Sequence, residues 1–301
     1  MNLTGLHILL TYQCTQECDH CFVWGSPWQS GVFTVERLDQ VFQQAQQVST
    51  INEIYFEGGE PFLYYPLLLH GVRAAASLGY TTGIVSNAYW ATALEDACAW
   101  LKPLQEAGLQ RLEVSSDLFH GSAAITHEAQ TAARAAERLG ISTALIQINP
   151  PSGYREPGAH KPGAPVDGGG VMYRGRAAAF LTKDLPGAAW DSFKTCPYED
   201  LLKPQRLHVD PDGYLHLCQG LVVGNLFERP LVDIWQTFNP HMYPVVAALV
   251  KGGPAELARK YNVPHQDNYV DACHLCYSVR FALRKRFPDI LVPEQMYGVM
   301  N

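Results

Sequence analysis

Cys14-Thr15-Gln16-Glu17-Cys18-Asp19-His20-Cys21 is the stretch whose reading decides the fold. Three thiols are spaced by three residues and then by two within one short loop. A loop of this size forms no core of its own, so its cysteines point to a metal. Structural zinc usually takes four ligands from CxxC or CxxH knuckles, and this loop offers three. A cubane iron–sulfur cluster takes one thiolate per iron, so three thiolates leave the fourth iron open to a ligand that is not protein.

A second motif, Gly58-Gly59-Glu60-Pro61, follows about forty residues later. Two glycines at a strand end let the backbone approach a ligand, with carbonyls free to accept from an ammonium group. With the CxxxCxxC loop before it, the chain resembles the radical S-adenosylmethionine (radical SAM) superfamily. The residue before the last cysteine, usually aromatic and apolar there, is His20. The resemblance implies that Cys14, Cys18 and Cys21 hold a 4Fe–4S cluster whose open iron chelates the methionine part of SAM. It also implies that the Gly58–Pro61 motif holds the SAM amino group. Reductive cleavage of SAM would release a 5′-deoxyadenosyl radical that abstracts a substrate hydrogen atom.

Outward from these motifs, strands and helices alternate. Leu6 to Thr11, Glu53 to Phe56, Thr81 to Ser86, Gln110 to Ser115 and Ile141 to Ile148 read as strands. Helical patterns lie between them: one from Val35 after a Thr34 cap, then Pro66 to Leu78, Ala93 to Ala107 with a break near Pro103, and Ser122 to Leu139. Such alternation predicts an α/β fold with a parallel sheet, open or curled into a barrel. The resemblance chooses a partial (β/α)6 TIM-like barrel, with ligands at the C-terminal ends of the strands. Val171 to Tyr173 reads as the sixth strand, before Arg174-Gly175-Arg176-Ala177, similar to a sequence that closes the barrel in many relatives. The Pro- and Gly-rich stretch from Pro150 to Gly170 reads equally as a lid or as a disordered surface loop.

Polar residues at strand ends are candidate SAM contacts: Ser86 and Asn87 on the third strand, Ser115 and Asp117 on the fourth. Helix capping is the alternative for each. His120 is a candidate proton donor or substrate contact, against a plain loop histidine.

Eight cysteines in a chain without export signals suit metal or chemistry better than disulfides. Cys98 reads as a small core residue on a helix. Cys196, Cys218, Cys273 and Cys276 form a second group that by count would satisfy zinc equally well. Beside a radical SAM core, however, the Asp210-Pro211-Asp212-Gly213 hairpin, Cys218, Gly224-Asn225-Leu226, the Leu231–Phe238 segment and the Cys273/Cys276 pair resemble twitch and SPASM auxiliary-cluster domains. The resemblance divides the chain into a radical SAM core at 1–183 and a small α+β twitch/SPASM-like domain with the C-terminal tail at 184–301. Four thiolates would hold a fully ligated second 4Fe–4S cluster, suited to electron exchange.

The expected function is therefore a two-cluster radical SAM oxidoreductase. Its substrate is a peptide, with small-metabolite dehydrogenation as the alternative; an iron–sulfur carrier or a zinc-binding module is the non-enzyme alternative. Expected partners are the substrate and a reductant such as flavodoxin or ferredoxin. The short stretch before Cys14 leaves leader recognition to another surface or a separate leader-peptide-binding protein. A net charge of −7 argues against nucleic acid. No long apolar run or signal segment is present, so a cytoplasmic protein is expected. Arg280, Arg284, Lys285 and Arg286 read as a solvated helix face.

Overall fold

The computed structural model describes residues 2–153, 162–163 and 168–299. β1 (Gly5–Thr11) is buried at every position and sits within a nine-stranded sheet, with β2 (Glu53–Gly58), β3 (Thr81–Ser86), β4 (Arg111–Ser115) and β5 (Ser142–Ile148) following it in parallel on one side. α1 (Val35–Gln46), α2 (Tyr65–Ser77), α3 (Leu94–Glu106) and α4 (His127–Arg138) connect these strands. Thr34 and Thr126 cap α1 and α4 by accepting from the N–H groups of Arg37 and Ala129. Their apolar stripes, among them Leu38, Val41 and Phe42 on α1 and Ala129, Ala132 and Ala136 on α4, are buried.

Several boundaries differ from expectation. α3 runs through Pro103 unbroken. α4 begins at His127, because Thr126 rather than Ser122 supplies the cap. The sixth strand, β6, is Gly168–Gly169 beside Gln147 and Ile148, not Val171–Tyr173. The N–H of Tyr173 donates to the Asp271 carboxylate and that of Arg174 to the Met172 carbonyl, so neither is directed into a ladder. The expected lid lies largely outside the described residues.

After α5 (Arg176–Phe180) comes β7 (Ala188–Ala189), which pairs with β11 (Asn268–Tyr269) as a separate ribbon. β8 (Arg206–Val209) then returns to the main sheet and lies parallel to β1 on its other side. β9 (Tyr214–Cys218) pairs antiparallel with β8 as the expected hairpin, and β10 (Leu221–Asn225), which was not expected, follows antiparallel to β9. The sheet is thus an open one, ordered β10-β9-β8-β1-β2-β3-β4-β5-β6. α6 (Leu231–Gln236), α7 (Pro244–Tyr261) and α8 (Ala272–Leu283) complete the chain. α7 was not anticipated. Its kink at Gly252 and Gly253 lets the backbone rest on residues 193–195: a Cβ on Gly253 would lie 2.3 Å from the Lys194 carbonyl carbon. That contact sits immediately before Cys196.

Candidate active site

The cysteine loop leaves β1 and is held from three sides. The N–H of Cys14 donates to the Ser26 carbonyl at 3.0 Å, and the N–H of Glu60 to the Gln13 carbonyl at 2.8 Å. Buried Arg176 donates from one terminal nitrogen to the Cys18 carbonyl at 2.8 Å and from the other to the Gly25 carbonyl at 2.9 Å. Its own N–H reaches the Cys21 carbonyl at 2.9 Å. The Gly-Arg-Ala sequence therefore clasps the loop, a role that spacing alone did not reveal.

The two glycines of the second motif have a different first duty from the one expected. Gly58 has φ +125°, a left-handed conformation that favours glycine. A Cβ on Gly59 would lie 2.0 Å from the Gln13 carbonyl oxygen. The motif is thus pressed against the residue before Cys14, where chain meets chain.

Cys14, Cys18, Cys21, Gly58, Gly59, Ser86, Asn87, Ser115 and His120 all line one cavity of about 240 Å³. Asn87 donates to Thr15 at 3.0 Å and approaches the Cys14 sulfur at 3.5 Å. Glu60, Pro61 and Asp117 are buried and lie outside this lining. Asp117 accepts from the Phe119 and Ile148 N–H groups and sits 2.8 Å from Nδ1 of His120, so it fixes the turn that presents His120. Burial lowers His20 to about 4, against the pull of Asp117. Its neutral ring, stacked on Phe119 at 4.4 Å, gives the cavity an uncharged aromatic surface.

Glu60 ties β2 to β3: its carboxylate accepts from the Phe62 N–H, the Ser86 hydroxyl and the Asn87 N–H at 3.1, 3.0 and 2.8 Å. Burial nevertheless pushes this carboxyl up to about 7. A folded value above the unfolded one, roughly 4.3 for a free glutamate, gives stability that is full below the unfolded value and lost as pH rises through the folded one. Urea unfolding at about pH 5 and about pH 8 should therefore show the parent losing on the order of 2 kcal/mol relative to Glu60→Gln on going to the higher pH. A constant gap between the two proteins would contradict this.

The second cysteine group also converges. Cys196, Cys218, Cys273 and Cys276 line a cavity of about 30 Å³ with Arg174, Glu199 and Arg280. Asp271 caps α8 by accepting from the His274 N–H at 2.7 Å, which places Cys273 and Cys276 on its first turns. Arg280 corrects an expectation: it is buried rather than solvated, with Nη1 donating to the Gln219 carbonyl at 2.8 Å and Nη2 4.0 Å from the Cys218 sulfur. Arg174 donates to the same sulfur at 3.3 Å and pairs with Glu199 at 3.3 Å. Two buried guanidiniums share one carboxylate among these contacts, and a buried cation needs a compensating anion. Thiolates at these cysteines would supply one.

Burial pushes the thiols of Cys14 and Cys196 up to about 12, and that of Cys273 well above the ordinary thiol value. Thiolates at these positions therefore need a metal against them. Among the described residues, the groups of three or more candidate ligands whose atoms come within 4.8 Å of one another are His7–Glu57–His208 and His20–Asp117–His120, with no cysteine in either. A tetrahedral zinc with bonds of about 2.3 Å would draw its sulfurs to roughly 3.8 Å apart. Among the described residues, neither cysteine set is gathered that tightly. Cys98 packs on the hydrophobic core.

No described helix is long and apolar enough to cross a membrane. The fold resembles that of BtrN in its complex with AdoMet and 2-DOIA: TM-score 0.52, 15% identity, 78% of this chain and 82% of that one. Streptococcus suis SuiB bound to the precursor peptide SuiA aligns with TM-score 0.48 and 13% identity over 91% of this chain and 76% of that one. In sequence, 113 residues are 25% identical to the putative peptide biosynthesis protein YydG of Bacillus subtilis (strain 168). That match spans 38% of this chain and 35% of the relative's length. Residues 8–138, less than half of the chain, match the family model described as the radical SAM superfamily.

Proposed function

We propose that this protein is a radical SAM oxidoreductase that modifies a peptide, with Cys14, Cys18 and Cys21 holding the SAM-binding 4Fe–4S cluster and Cys196, Cys218, Cys273 and Cys276 holding a second. The match of residues 8–138 to the radical SAM superfamily supports SAM and the first cluster; the second cluster and the division into 1–183 and 184–301 are this proposal's own. When bound, the first cluster and SAM supply a 5′-deoxyadenosyl radical that takes a hydrogen atom from the substrate. The Gly58 and Gly59 carbonyls are offered to the SAM amino group, Ser86, Asn87 and Ser115 to its other polar groups, and His120 to the substrate. Similarity to a peptide biosynthesis protein supports the peptide. The partners this reading requires are the peptide and a flavodoxin- or ferredoxin-type reductant, with leader recognition left to another surface or a separate protein.

One observation carries the oxidative part. Arg174 and Glu199 line both the 240 Å³ cavity and the four-cysteine pocket. They form a shared wall: one side faces the SAM and substrate space, and the other has the Arg174 guanidinium on the Cys218 sulfur. An electron leaving an oxidised substrate would cross this wall, and hydrogen bonds to sulfur tune the potential of such a site.

Iron and acid-labile sulfide in anaerobically prepared protein should fall from about eight to about four per chain when Cys273 and Cys276 are both changed to Ala. Deoxyadenosine formation should persist in that variant. A parent with four irons, and zinc on the C-terminal thiols, would overturn the oxidative half of the reading.

A further inference from the structure

Three polar side chains line the cavity away from either cysteine group. His7 on β1 stands opposite His208 on β8 in the parallel ladder, and Glu57 follows on β2. Nδ1 of His7 lies 3.2 Å from Oε2 of Glu57, and Nε2 of His208 lies 3.1 Å from Oε1. The ligand atoms of all three fall within 4.8 Å of one another. The His208 side chain is 7% exposed and that of Glu57 14%, yet both line the cavity.

Hydrogen bonding accounts for only part of this arrangement: Nδ1 of His7 and Oε2 of Glu57 form a hydrogen bond at 3.2 Å. Oε1 of Glu57 has no hydrogen-bond partner despite its distance to His208, so that contact is misaligned. Nδ1 of His208 is likewise buried without a partner. A buried carboxylate oxygen left unmet beside an imidazole nitrogen is costly. A cation bonded at about 2.0–2.1 Å sets neighbouring N and O ligands roughly 2.9–3.4 Å apart, the separation found here. Tyr55, paired with His7 across the ladder, stacks on its ring at 5.0 Å and donates to Glu113 at 3.0 Å, which fixes the imidazole plane.

We infer that His7, Glu57 and His208 form a site for a divalent transition-metal cation in the cavity wall, separate from both cysteine sets. Two imidazoles and one carboxylate suit iron, cobalt, nickel or zinc and leave positions open. Those positions take water or an oxygen donor of the substrate, such as a carbonyl or carboxylate. The substrate part of the inference rests on reading this cavity as the reaction chamber; the cation part does not. Loss of one histidine leaves two ligands and no chelating set.

The test uses anaerobically prepared protein with its iron–sulfur groups in place, titrated with cobalt(II) alone. One equivalent should bind per chain, with the visible bands of nitrogen and oxygen ligation and without thiolate-to-cobalt charge transfer. His7→Ala, His208→Ala and Glu57→Gln should each weaken binding at least thirtyfold, with iron content per chain as the measure that each variant is folded. Absence of cobalt binding by the parent, thiolate charge transfer in the bound form, or unchanged affinity in the glutamine variant would each overturn the cation site. Deoxyadenosine formation by the parent is scored separately, so a chain that cleaves SAM but binds no cobalt defeats this inference alone.

Discussion

Changing Cys14, Cys18 and Cys21 together to Ala is expected to abolish 5′-deoxyadenosine formation and remove about four irons per chain, leaving about four on the C-terminal thiolates. The three thiols sit in a loop whose backbone is fixed by Ser26, Glu60 and Arg176, none of which depends on sulfur. Alanine should therefore leave the loop folded and remove only its ligands. Arg174 and Arg280 remain with Cys218 in this variant, so the second site keeps its charge balance. Loss of all iron would show that the two sets load together, whereas deoxyadenosine persisting in the variant would contradict the assignment of the first.

Gly59→Ala should be the most damaging single methyl group that can be added near the site. The new Cβ would stand 2.0 Å from the Gln13 carbonyl oxygen and 2.8 Å from the Tyr12 carbonyl carbon. Both are backbone atoms, so no rotamer relieves the clash. Overpacking of this kind costs about 1–3 kcal/mol or more, and the atoms that must move lead directly into Cys14. A misplacement of about 1 Å at reacting groups can cost about 10²-fold in rate. We expect SAM cleavage to fall at least that far, with a drop in thermal midpoint. Gly170→Ala is the matched control, because a Cβ there meets nothing within 4 Å. Equal activity in the two variants would remove the steric reading of the motif.

The sequence disclosed local chemistry better than it disclosed position. The thiol spacing and the Gly-Gly turn were legible because each depends on residues adjacent in the chain. The first five strands were legible because each buried run is short and bounded by turn residues. The true sixth strand was hidden, since Gly168–Gly169 has no side chain to show a pattern. Arg280 misled because four basic residues near one another resemble a wetted face, and only the packing of α8 against Cys218 and Gln219 shows where the first one points. His7, Glu57 and His208 were beyond reach for a similar reason: they come from three strands, and their ladder register exists only after the sheet has formed.

The place of β8 has a further consequence for how the chain is made. β1 leaves the ribosome well before its partner on one side, Arg206–Val209, which follows about two hundred residues later. Until that segment emerges, one flank of β1 has unpaired N–H and C=O groups beside the cysteine loop, and an open strand flank invites association with other chains. Closing so distant a pair is slow, because chain entropy is lost before the contact repays it. The nascent chain should thus be most vulnerable to aggregation between the emergence of β1 and that of β8, and metal loading belongs after that strand has docked.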